Sequence, residues 1–261
     1  MVRAVFFDID GTLYSHKTNS IPPSALAALK ALRRKGILVF LATGRHRSVL
    51  EQLPALHGLE FDGAVTLNGG YSYDHQGLIH GEPVDRRDIE GLLAYLEEHP
   101  IPCGFIEEEE MYLNFYNDRV WEVHAFVHTP PLPLKDLRRG LENPVYQILL
   151  YLYDGEDGPP LPHCKFTRWY TGGLDVIPSR SGKAMGIAKM LEHYGIDRSE
   201  TMAFGDGEND LDMFEAVHTA VAMGNAHPSA KAAADYVTAD VDDDGIARAL
   251  VHLGILEGGN L

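Results

Sequence analysis

Two aspartates two residues apart, Asp8 and Asp10, close an apolar run near the N-terminus. In extended chain, residues i and i+2 point to the same side, so both carboxylates can meet one ligand. Two chemistries suit such a pair: a nucleophile with a general acid, or paired metal ligands. Gly11 permits a sharp turn, and Thr12 offers a hydroxyl and a helix-capping group. A DxDG turn that merely ends a strand is the plainer alternative, and the apolar run directly before it, residues 4–7, argues against that. A second acidic cluster, Gly205-Asp206-Gly207-Glu208-Asn209-Asp210, also follows an apolar run. Hard oxygen ligands on short acidic loops suit Mg²⁺, which takes one or two carboxylates plus substrate phosphate. The acidic spacing and closing Glu of a calcium loop are absent.

Two smaller signals gain weight only in company. Thr43-Gly44-Arg45 supplies a hydroxyl and backbone N–H groups where a helix begins, a natural phosphate site. Alone it reads more readily as an ordinary strand-to-helix turn. Lys183 opens a helix and could neutralise a phosphoryl group or an aspartate anion. Alone it reads as a solvated first-turn lysine.

The elements that position these residues follow from hydrophobic pattern. Short apolar runs at 4–7, 37–42, 64–67 and 201–204 read as buried strands of a parallel sheet, and each leads into a polar cluster. Pro22-Pro23-Ser24 opens a helix whose apolar face is Leu26, Leu29 and Leu32, and Gly36 stops it. A second helix, about 182–194, carries Met185, Ile187, Met190 and Leu191 and stops at Gly195. Strands alternating with helices predict a doubly wound, Rossmann-like α/β layer, whose ligands bind at the carboxyl ends of strands. All four polar clusters fall there.

Between residues 82 and 180 the pattern changes. It reads as a helix over 86–98, two short strands around 107–110, a helix over 118–127, a short helix near 134–141, a strand over 145–153, and a final strand pair at 165–170 and 174–177. Hairpins mixed with helices predict an inserted α+β domain. The expected division is 1–81 and 181–261 for the core and 82–180 for the insert. The glutamate run at 107–110 reads as a solvated turn.

The chain has 261 residues and a formal net charge of −16. That charge disfavours nucleic acid and anionic membrane as partners. It also requires a cation and local basic groups if the substrate is a phosphate ester. No apolar run is long enough to span a bilayer, and the first residues lack a signal-peptide pattern. Cys103 and Cys164 have no CxxC spacing, so a reduced cytoplasmic protein is expected rather than a thiolate metal site. His124 and His128 have zinc-ligand spacing but no third ligand nearby, and read as a surface face. Ser179 and Ser181 lack a nucleophile elbow, and no nucleotide-binding glycine motif occurs. Arg168, Trp169 and Tyr170 could face a sugar, although core packing is the plainer reading. The sequence sets no oligomeric state, and a monomer is compatible with it.

Taken together, these residues resemble a known family. Phe6-Phe7-Asp8-Ile9-Asp10-Gly11-Thr12-Leu13 resembles the first motif of the haloacid dehalogenase (HAD) superfamily, Thr43-Gly44-Arg45 its second, Lys183 its third, and the 205–210 cluster its fourth. The long insertion is similar to the type II (subclass IIB) cap of the Cof-type sugar-phosphatase branch. Asn68-Gly69-Gly70, Val221-Ala222-Met223-Gly224-Asn225-Ala226, Lys231, Ala234-Asp235-Tyr236-Val237-Thr238 and Asp242-Asp243-Asp244-Gly245-Ile246 match that branch further. Ala184 stands where Gly is common after the lysine.

The resemblance implies a Mg²⁺-dependent phosphatase acting on small phosphorylated metabolites, sugar phosphates among them. Asp8 would attack phosphorus, and Asp10 would serve as acid and then base. Asp8, the Asp10 backbone carbonyl and Asp206 would hold Mg²⁺. Thr43, Gly44 and Lys183 would hold the phosphoryl group, and Arg45 would bind substrate with them. Asn209 and Asp210 would position phosphate, lysine and water at the metal, and the cap would select the leaving group. A phosphotransferase or phosphomutase on the same fold is the nearest rival, and a non-catalytic phosphate sensor a more distant one.

Overall fold

The computed structural model describes residues 1–126, 129 and 131–258. In chain order the strands and helices are β1 (Ala4–Phe7), α1 (Pro23–Arg34), β2 (Leu38–Ala42), α2 (Arg47–Glu51), β3 (Gly63–Thr66), β4 (Tyr71–Asp74), β5 (Gly77–Gly81), α3 (Arg86–Glu98), β6 (Cys103–Ile106), β7 (Met111–Leu113), α4 (Asp118–Phe126), β8 (Gln147–Leu150), β9 (Cys164–Tyr170), β10 (Gly173–Pro178), α5 (Lys183–Tyr194), β11 (Thr201–Gly205), α6 (Leu211–Ala216), β12 (Thr219–Ala222), α7 (Pro228–Ala233), β13 (Tyr236–Val237) and α8 (Gly245–His252). They divide into two compact units, residues 1–80 with 182–261, and residues 81–181.

The first unit is built on an eight-stranded sheet in the order β13-β12-β11-β1-β2-β3-β4-β5. From β13 to β3 every pairing is parallel. All four residues of β1 are fully buried, which requires cover on both faces of the sheet. Phe6 stacks on Phe40 of β2, whose ring meets Tyr194 of α5 edge-on; Phe7 stacks on Phe204 of β11. The first two helices carry their apolar faces slightly differently from the sequence reading. In α1 the buried positions are Ala25, Ala28, Leu29, Ala31 and Leu32, with Leu26 only half-buried. In α5, Met185 is 37% exposed, while Gly186, Ile187, Met190 and Leu191 are buried.

The sheet is not wholly parallel. Strand β4 runs antiparallel to β3. Only a single 3₁₀ turn, Leu67–Gly69, and Gly70 join them. A parallel crossover needs a dozen or more residues, so a link this short can only reverse the chain.

The second unit carries a five-stranded sheet in the order β7-β6-β8-β10-β9, antiparallel throughout. Helix α3 places Ile89 and Leu92 in one cluster with Phe105, Ile148, Leu150 and Val176. Helix α4 places Val120 and Val123 against Leu113 and Tyr151. Three readings need correction here. His124 is buried rather than on a surface face, and its ring lies 3.0 Å from the Tyr151 hydroxyl; His128 lies outside the described residues. The glutamate run is not wholly solvated: Glu107 is buried, accepts from Tyr112 Oη at 2.6 Å and pairs with Arg139. Trp169 is 42% exposed on edge strand β9 instead of packing in the core. Both cysteines are free. Among the described residues no helix is long and apolar enough to cross a membrane.

One close approach in the first unit sets where α5 begins. Gly69 has φ +88°, and a Cβ there would lie 1.8 Å from the Gly182 carbonyl oxygen and 3.0 Å from the Lys183 nitrogen. Only a residue without a side chain fits between that turn and the helix start. Backbone strain at such a position costs on the order of 1–3 kcal/mol, before any collision. Gly69→Ala is therefore expected to lower the melting temperature by about 4 °C or more. Circular dichroism would read the change, and an unchanged melt would contradict the close approach.

Candidate active site

The site residues of the first unit stand at strand ends and at the start of one helix. Asp8 follows β1 directly, and its N–H donates to the Phe204 carbonyl of β11 at 2.9 Å. The chain then turns at once. Gly11 has φ +80°, and a Cβ there would fall 2.3 Å from an Asp206 oxygen. The Thr12 hydroxyl donates to Asp206 Oδ1 at 2.8 Å. Thr12 thus orients a carboxylate across the site and caps no helix.

Lys183 is the first residue of α5 and is 1% exposed. Its ammonium donates to Asp8 Oδ1 at 2.6 Å and to Asp210 Oδ1 at 2.5 Å. The other Asp210 oxygen accepts the backbone N–H groups of Asp206 and Gly207, each at 2.9 Å. One buried carboxylate therefore fixes both the lysine and the loop that carries Asp206. Gly205 leaves room for it, because a Cβ there would lie 2.6 Å from the Asp210 carboxyl carbon.

Thr43 and Gly44 follow β2. Helix α2 begins later than the sequence suggests, with His46 as its N-cap. Thr43 Oγ1 is buried and accepts the Arg45 N–H at 3.1 Å. Gly44 lies against the Asn68 side chain, which a Cβ at Gly44 would approach to 3.0 Å. Asn68 in turn accepts from Asn209 Nδ2 at 3.4 Å. Its backbone is left-handed, φ 50°, and its N–H donates to the Thr43 carbonyl at 3.1 Å. Sequence reasoning gave no role to Asn68 or to the contact of Thr12 with Asp206. The signals for Asn68 are its place after an apolar run and the match of Asn68-Gly69-Gly70 to the family, neither of which gives it a contact. Asn225, matched to the family in sequence without a role, donates to the Gly11 carbonyl at 2.7 Å and so braces the turn after Asp10.

Asp8, Asp206 and Asp210 bring carboxylate oxygens within 4.8 Å of one another. Asp10 is not in that cluster through its side chain. Instead Arg45 Nε and Nη2 grip its two oxygens at 2.7 and 2.6 Å. Burial, and then the Asp10 carboxylate, act oppositely on Arg45, and the carboxylate prevails, raising its pKa.

Electrostatics show what the cluster lacks. Burial lifts the Asp8 carboxyl well above its usual range; Lys183 pulls it down, and Asp210, Asp206 and Asp10 push it further up. Asp206 is pushed up to about 7 by burial and then by Asp210. Burial opposes the charge on Lys183, but Asp210 and Asp8 overcome it and raise its pKa. One ammonium thus faces three carboxylates. An all-oxygen donor set with excess negative charge fits a hard divalent cation such as Mg²⁺.

The sequence model of the haloacid dehalogenase-like hydrolases matches residues 5–250. The chain belongs to this family. YkrA of Bacillus subtilis (strain 168), which is provisionally named a phosphatase, is 37% identical over 259 residues, covering 98% of this chain and 99% of its own. The pyridoxal phosphate phosphatase YbhA of Escherichia coli (strain K12) is 28% identical over 94% of this chain and 96% of its own. Among solved structures, the HAD subclass IIB sugar phosphatase BT4131 superposes with a TM-score of 0.84 at 35% identity, covering 98% of this chain and 100% of that one.

The acid cluster of this haloacid dehalogenase-like hydrolase carries a pH signature. The Asp206 carboxyl sits at about 7 in the folded chain against an ordinary 3.8. The folded state therefore holds an extra proton within that window, and without a cation its stability falls as pH rises through it. A divalent ion held there would relieve the repulsion and compete with that proton. Mg²⁺ is expected to raise the melting temperature more at about pH 8 than at about pH 5.5. Calorimetry at both pH values would check this, and an equal or reversed increment would contradict it.

Proposed function

We propose that this chain is a Mg²⁺-dependent phosphatase that hydrolyses small phosphorylated metabolites, sugar phosphates in particular, through an aspartyl-phosphate on Asp8. The observation that carries the reading is the buried Lys183 ammonium held between Asp8 and Asp210, beside Asp206. A chain of net charge −16 must bring an anionic nucleophile to an anionic ester, and this is where the offsetting charge is built in.

An Asp8 oxygen attacks phosphorus, and the bond to the ester oxygen breaks. Asp10 gives that oxygen its proton and the alcohol leaves. Water then attacks phosphorus and passes a proton to Asp10. The bond to Asp8 breaks, its electrons return to the carboxylate, and phosphate is released. Lys183 offsets negative charge beside Asp8 throughout. Thr43 and Gly44 would receive the phosphoryl group, and Asn209 meets Asn68, which lies against Gly44. Asp8, Asp206 and the Asp10 carbonyl would hold Mg²⁺, which supplies positive charge against nucleophile and phosphate.

The likeness to BT4131 supports sugar phosphates as the leading substrate class, and the more distant YbhA adds pyridoxal phosphate to the panel worth testing. Residues 81–181 carry none of the motif residues, and we assign them the selection among esters. A phosphate-release screen with Mg²⁺ and with chelator tests the reading. Product analysis separates hydrolysis from phosphomutase chemistry: a hydrolase yields free phosphate and no isomerised sugar phosphate. Asp8→Asn is expected to reduce turnover by about 10³-fold or more, because an amide is a poor nucleophile and a weaker Mg²⁺ ligand. Activity within about tenfold of wild type would overturn the assignment.

A further inference from the structure

Arg45 follows two residues assigned to the phosphoryl group, yet its guanidinium is turned to Asp10. Nε and Nη2 each donate to a different oxygen of that carboxylate, at 2.7 and 2.6 Å. This is the planar fork that a guanidinium offers and an ammonium cannot. His16 Nε2 stands 3.2 Å from Asp10 Oδ1. The Asp10 side chain is 35% exposed, against 8% for Asp8. A carboxylate this open has several rotamers within reach, and holding one of them requires a partner.

We propose that Arg45 is a positioning residue, which aims the Asp10 carboxylate to accept the proton of water during hydrolysis of the aspartyl-phosphate, and that it does not bind the substrate phosphate. The inference rests on the phosphatase reading above. Its warrant is hydrogen-bond complementarity. A guanidinium has donors only, so two N–H groups suit a carboxylate with both oxygens accepting. The fork therefore holds both Asp10 oxygens in one orientation. In the step it serves, a water oxygen bonds to phosphorus, the water proton moves to Asp10, and the phosphorus–Asp8 bond breaks with its electron pair returning to Asp8. With an ester whose leaving group departs without a proton, phosphorylation of Asp8 does not call on Asp10, and hydrolysis is the step that does.

Rapid-mixing kinetics with p-nitrophenyl phosphate and Mg²⁺ separates the two halves, because nitrophenolate release reports phosphorylation and steady-state turnover includes hydrolysis. For Arg45→Gln the burst rate constant should stay within about threefold of wild type while steady-state turnover falls about 10–100-fold. Trapped phosphoenzyme should rise and KM should fall with kcat, since a slower second step lets the covalent intermediate accumulate. Arg45→Lys, with charge but no fork, should recover only part of the turnover. A raised KM with no accumulation of phosphoenzyme would place Arg45 on the substrate phosphate and overturn the proposal. An equal loss in burst and steady state, with a lowered melting temperature, would make its role structural and also overturn it. Failure of the underlying phosphatase reading looks different: wild type would form no phosphoenzyme and Asp8→Asn would stay active.

Discussion

Burying an ammonium is costly unless anionic partners stand within hydrogen-bond reach, and Lys183 has two, Asp8 and Asp210. Three distant stretches of chain must converge to satisfy it: the end of β1, the start of α5 and the loop after β11. Each arrives through its own local device. Parallel pairing of β1 with β11 aligns Asp8 and the 205–210 loop at the same end of the sheet. Gly69 lets the turn after β3 press against the Gly182 carbonyl and so sets the first residue of α5. Asp210 turns its second oxygen to the N–H groups of Asp206 and Gly207, so the loop cannot shift without disturbing the lysine. Removing one partner of a buried pair typically costs about 3–5 kcal/mol, which makes this contact a constraint on the whole sheet end.

The same contact leaves a deficit that gives the site its chemistry. One lysine cannot neutralise three carboxylates, and Asp206, oriented by Thr12, is the one it does not touch. A divalent cation fits where that excess lies. Asp10 stands apart, held by Arg45 rather than by Lys183. Two aspartates separated by one residue thus meet opposite surroundings. Asp8 lies buried among like charges, whereas Asp10 is half-open and paired with a guanidinium. That separation is what a nucleophile and an acid–base group need if they are to act in turn.

Much of this was legible in the sequence, because strand ends announce themselves. The runs before Asp8, Thr43, Asn68 and Asp206 are short, apolar and followed by polar residues, and all four became adjacent strands of one sheet. What stayed hidden were pairings across the chain. Lys183 is 175 residues from Asp8, so no spacing shows their contact. Thr12 reads as a helix cap because its partner, Asp206, is 194 residues away. Arg45 reads as a phosphate ligand by its neighbours, and only its rotamer turns it to Asp10. No strand is read at 71–74 because Tyr71-Ser72-Tyr73-Asp74 is not an apolar run, and its antiparallel direction follows from the short link to β3. His124 and Glu107 look like surface residues by type, and tertiary partners, Tyr151 and Tyr112, account for their burial.

The phosphatase reading requires the carboxylate beside Lys183 to take the phosphoryl group. Acid quench during turnover of acetyl phosphate with Mg²⁺, followed by borohydride reduction and peptide mass spectrometry, identifies the residue directly, because an acyl phosphate is reduced to the alcohol. Homoserine is expected at position 8, with Asp10, Asp206 and Asp210 unmodified. Reduction at one of those other aspartates, or turnover with no reducible acyl phosphate at all, would contradict it.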